Sequence, residues 1–72
     1  MGFRRHPGLN RRVLVALHSG NAVSGVLTKV TGPLLIVQGA TIHEPNAAPA
    51  EADGQVVVDR DNVDYVQIVG GR

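Results

Sequence analysis

The feature that most constrains this chain is a succession of short runs rich in valine, leucine and isoleucine, each interrupted by glycine, proline or asparagine before it reaches helical length. Runs of that kind form strands rather than helices. Residues 13–17 alternate clearly: Val13, Val15 and Leu17 fall on one face, Leu14, Ala16 and then His18 on the other. Ser19-Gly20-Asn21 supplies a turn. A second strand covers residues 22–30, with Val23, Gly25 and Leu27 opposed to Ser24, Val26 and Thr28. Gly25 inside that strand predicts a bend, a bulge or a close backbone approach. Thr31-Gly32-Pro33 then turns the chain.

Leu34-Leu35-Ile36-Val37 is apolar on both faces, as in a central strand covered on its outer side. Residues 44–54, with Pro45, Pro49 and several alanines, read as a surface loop. Val56-Val57-Val58 forms a fourth strand and residues 63–69 a fifth. The polar spacer Asp59-Arg60-Asp61-Asn62 is too short for a helix, and its Asp and Asn side chains suit a tight corner. The expectation is therefore an all-β domain of five short strands, small and strongly bent.

A chain of 72 residues holds one such domain. With 43% apolar and 18% charged residues it has the composition of a globular protein, not a disordered one. A core this small is marginal by itself. Cysteine is absent, which excludes disulfide staples and thiolate metal ligands as its support. Association between copies is the remaining source of burial, so a homo-oligomer is expected. No run reaches the roughly 18 apolar residues of a membrane span or forms the apolar segment of a signal peptide, so a soluble, unsecreted protein without membrane contact is expected.

Charge is distributed unevenly. Arg4, Arg5, Arg11 and Arg12 place four of the seven basic residues within the first twelve positions, whereas all six acidic residues lie between Glu44 and Asp64. Pro7 and Gly8 break any periodicity there, so residues 1–11 read as a flexible basic arm, residues 12–69 as the β domain and residues 70–72 as a frayed tail. Arginines in an arm can contact phosphates in a salt-sensitive way. They can equally meet carboxylates on a neighbouring copy or another protein. The near absence of aromatic residues favours protein contact, since only Phe3 and Tyr65 could stack on bases.

Two segments carry a resemblance. Residues 13–20 followed by Val23, Gly25 and Leu27, and Val58-Asp59-Arg60-Asp61-Asn62-Val63 leading into a closing strand, resemble the two motifs of the Sm/LSm family. The resemblance covers roughly residues 12–69 and implies a bent, five-stranded Sm-like (SH3-like) barrel that associates edge to edge through its last two strands. Arg60 and Asn62 stand at family corner positions. Thr31 and Leu35 occupy positions where RNA-binding members carry Asp and Asn, and the corner has Asp59-Arg60 without the family's glycine. The base pocket is thus mostly missing. Nonspecific RNA contact through the arm is the alternative reading. The spelling Arg11-Arg12-Val13-Leu14-Val15, Gly32-Pro33-Leu34-Leu35 and Val63-Asp64-Tyr65-Val66-Gln67 also resembles small Sm-like proteins encoded among the structural genes of actinobacterial phages. That likeness implies a minor structural or assembly component of a virion, found there or in the host cytoplasm, with other phage structural proteins as further partners.

Chemistry has little foothold in the sequence. His6, His18 and His43 lack metal-binding spacing, and Ser19 and Ser24 lack the strand-to-helix elbow of a catalytic serine. Asp59, Asp61 and Asp64 read as a solvated corner. No enzyme, cofactor, metal or small-molecule substrate is expected. The expected functional parts are the arginine arm and an oligomer edge formed by Val56, Val57, Val58, Val66 and Ile68.

Overall fold

Valine and leucine at alternate positions sort themselves across a single antiparallel sheet in the computed structural model, which describes residues 6–70. Its strands are β1 (Arg12–Leu17), β2 (Ala22–Thr31), β3 (Leu34–His43), β4 (Ala50–Glu51), β5 (Gln55–Asp59) and β6 (Val63–Ile68). The order across the sheet is β6-β1-β2-β3, and β3 pairs with both β5 and β4. The all-β expectation holds. Among the described residues β5 and β6 do not pair with each other, so the sheet is open rather than a closed barrel.

The core consists of Val13, Val15, Val23, Leu27, Leu35, Val37, Ala40 and Val58, all buried. Alternation within β1 and β2 put the first four there. Leu35 belongs to this core, aligned with Val30 on one side and Val58 on the other. It has no surface to offer a ligand.

Gly25 marks a shift of register between β2 and β3. A Cβ there would lie 2.7 Å from Val37 Cγ1 and 2.8 Å from the Gln38 carbonyl oxygen, so the two strands can approach only because the side chain is missing. A second shift follows between Leu27 and Lys29. The β2–β3 hairpin turns on Gly32 and Pro33, with φ of 56° at Gly32. Positive φ followed by the fixed negative φ of proline is the type II′ combination, whose twist matches a hairpin.

Three local features add to the five-strand reading. The loop after β3 is interrupted by β4, whose Ala50 and Glu51 align with Ile42 and Thr41, giving six strands instead of five. The corner between β5 and β6 is a single 3₁₀ turn, Arg60–Asn62, capped by the Asp59 carboxylate, which accepts the Asp61 N–H at 2.9 Å. The part of the arm from residue 6 to 11 is bound to the domain: Asn10 N–H donates to the Leu27 carbonyl, and Leu27 N–H donates to the Arg11 carbonyl at 3.0 Å. Gly8 is buried there, and a Cβ on it would come within 2.9 Å of Val13 Cγ1. These bonds extend the β1–β2 pairing past Arg12, and the backbone of β2 supplies partners that no local pattern reveals. Arg4 and Arg5, and the last two tail residues, lie outside the described residues.

Candidate assembly surface

Among the described residues β5 and β6 are bonded on one side only. In β5, the Arg60 N–H donates to the Pro33 carbonyl at 2.7 Å, and Leu34 aligns with Asp59. An antiparallel ladder alternates, so Val58 and Val56 bond to β3 while Gln55, Val57 and Asp59 turn their N–H and C=O groups to the open edge. In β6, the Val69 N–H donates to the Arg12 carbonyl at 2.9 Å, and Ile68 aligns with Val13. The same alternation leaves Val66 and Ile68 facing outward along their edge. Unpaired backbone groups on such edges are templates for another strand.

The side chains match that picture. Among the described residues the exposed large hydrophobics are Val57 (56%), Tyr65 (58%), Ile68 (37%) and Val69 (39%). All four lie on β5 or β6 or directly after β6. The five residues expected to form the edge divide accordingly. Val57 and Ile68 are exposed, Val56 and Val66 are half-buried against the core, and Val58 is buried. Val58 is therefore a core residue and not an edge contact, because its side chain points inward opposite Leu35.

β6 begins irregularly. Ala16 aligns with Tyr65 but Leu17 with Val63, so Asp64 is extruded as a bulge. Its carboxylate hydrogen-bonds His18 Nδ1, and both side chains are more than half exposed. The His18 N–H donates to the Asn62 carbonyl at 2.8 Å, which ties the corner to the end of β1. Arg60 and Asn62 are exposed on that corner. Arg11 and Arg12 are exposed where β1 begins, and no ion pair among the described residues ties them to the corner or to the acidic loop.

Ser24 Oγ lies 2.9 Å from His43 Nε2 across the outer face of β2 and β3. No local pattern reveals this pair, because Ser24 and His43 meet only through the β2–β3 register. A serine–histidine contact can activate a hydroxyl when a third group orients the imidazole. Among the described residues the carboxylate–histidine contact is instead that of His18 with Asp64. An open concavity of about 490 Å³ beside Gly39 is lined by Val26, Thr28, Gln38, Ala52 and Gly54, and it contains no charged side chain. The Thr28 hydroxyl is already committed to the Ile36 carbonyl. No cluster of three or more potential metal ligands occurs among the described residues. No helix of the described residues is long and apolar enough to cross a membrane.

No family model matches this sequence, and a search of the curated proteins finds no relative.

Proposed function

We propose that this protein is a non-enzymatic assembly module that joins copies of itself through the open edges of β5 and β6. One observation carries this reading: the four exposed large hydrophobics of the described residues are all gathered on or beside the two strands whose outer backbone groups lack partners. Lysine and proline, which blunt many sheet edges, occur in neither β5 nor β6, and the bulge at Asp64 precedes the outward-facing Val66 and Ile68. The chain thus reads as an Sm-like unit whose work is protein contact. The resemblance to phage-encoded Sm-like proteins supports a role in a virion or its assembly, with other structural proteins as further partners.

Sedimentation velocity at micromolar concentration tests it, comparing the unmodified chain with Val57→Lys. A multimer that dissociates on the substitution supports the reading. Unmodified chains that sediment as monomers would end it. A virion role is tested separately by mass spectrometry of purified phage particles whose genome encodes the chain.

A further inference from the structure

We propose that the Asp53–Gly54 peptide is a modification site, at which aspartate converts spontaneously to isoaspartate and frees β4 from β3 while β5 stays in place. In this reaction a backbone nitrogen attacks the side-chain carbonyl carbon of the residue before it. It therefore needs a side chain free to swing, an N–H without a partner and no bulk in the way.

The chain has four asparagines and four aspartates that could start such a reaction, and at seven of these the following N–H is already engaged. After Asn10, the Arg11 N–H donates to the Gly8 carbonyl at 3.0 Å; after Asn46, Ala47 donates to Glu44 at 3.3 Å; after Asp59, Arg60 donates to Pro33 at 2.7 Å. Val63 N–H, after Asn62, donates to the Arg60 carbonyl, and the i→i+3 bonding of the 3₁₀ turn occupies the Asn62 N–H that follows Asp61. Ladder alternation directs Ala22, after Asn21, to β3 and Tyr65, after Asp64, to β1. Asp59 and Asp64 are held through their carboxylates as well, by the Asp61 N–H and by His18.

Asp53 differs on each count. It and Gly54 are exposed, and among the described residues neither its carboxylate nor the Gly54 N–H has a hydrogen-bond partner. Gly54 stands at a φ of 86°, with nothing within 4 Å of where a Cβ would be. It also borders the open concavity of about 490 Å³ beside Gly39, which gives water access to the peptide.

The chemistry closes with water alone. The Gly54 nitrogen bonds to Asp53 Cγ, and the hydroxyl of the protonated carboxyl leaves with the amide proton as water, forming a succinimide ring. Water then adds to the former main-chain carbonyl of Asp53, and the bond from that carbon to nitrogen breaks. The chain now runs through Asp53 Cβ and Cγ, one methylene longer, and the former main-chain carbon is left as a free carboxylate.

The extra atom falls where the chain has little slack. β3 pairs with β5 as far as Gln38–Gln55 and with β4 from Thr41–Glu51, so residues 52–54 span the gap between two ladders. β4 has two residues and one further anchor, the Ala52 N–H on the Ala40 carbonyl at 2.9 Å. β5 has five residues aligned with β3, among them the buried Val58. The shorter ladder yields first.

Incubating the unmodified chain in warm, neutral buffer made with heavy-oxygen water tests both halves of the proposal. An isoaspartate-specific carboxyl methyltransferase should then methylate the chain, and heavy oxygen should enter the fragment that carries Asp53. Asp53→Glu, whose ring closure would need a further carbon, should lose both signals. Signal at any other aspartate or asparagine, signal retained in Asp53→Glu, or no signal at all overturns the site. In amide hydrogen exchange, the isoaspartyl chain purified by chromatography should lose protection at Ala52 and keep it at Val56 and Val58. Unchanged exchange at Ala52 overturns the release of β4, and loss of protection at Val58 overturns the retention of β5.

Discussion

Val37 and Val57 occupy neighbouring strands, yet Val37 is wholly buried and Val57 is 56% exposed. The difference lies in what surrounds the strands. β3 has partners on both sides and contributes one face to the core, whereas β5 has one partner and an open edge. The centre of the sheet spends valine and leucine on its own stability. The edges leave the same residue types exposed, where the proposed assembly would bury them under a second strand. Composition alone does not separate the two uses.

The comparison can be broken at the centre first. Leu27→Ala removes a fully buried side chain and should cost about 2–5 kcal/mol, read as a lower denaturant midpoint. Gly25→Ala should cost about 1–3 kcal/mol, since its new methyl group would meet Val37 and the Gln38 backbone. Asp59→Ala removes the cap of the 3₁₀ turn and should cost about 1 kcal/mol by the same measurement. At the edge, Val57→Lys should leave the stability of the isolated fold within about 0.5 kcal/mol, while abolishing self-association. His18→Gln should change stability by less than about 0.5 kcal/mol, because its contact with Asp64 is largely solvated. Should Val57→Lys lower the denaturant midpoint as far as Leu27→Ala does, the division between centre and edge is wrong.

Much of the centre was legible in the sequence. Alternation in residues 13–17 and 22–30 grouped Val13, Val15 and Leu17, and Val23 and Leu27, on one face of their strands, and all but the half-buried Leu17 are buried. Gly25 and the Gly32-Pro33 turn were readable because glycine and proline report backbone geometry locally. What escaped depends on partners distant in sequence. β4 exists because the loop returns to Thr41 and Ile42, and residues 6–11 are held by Leu27. The Ser24–His43 contact follows from register, which local patterns do not set. The edge was half legible: three consecutive valines marked β5, but only the pairing with β3 shows that Val58 faces inward and Val57 outward.

Native mass spectrometry of the unmodified chain, diluted through the micromolar range, tests the central claim most directly. A discrete multimer of defined copy number, lost in Val57→Lys, is the predicted result. A stable monomer across that range would contradict it.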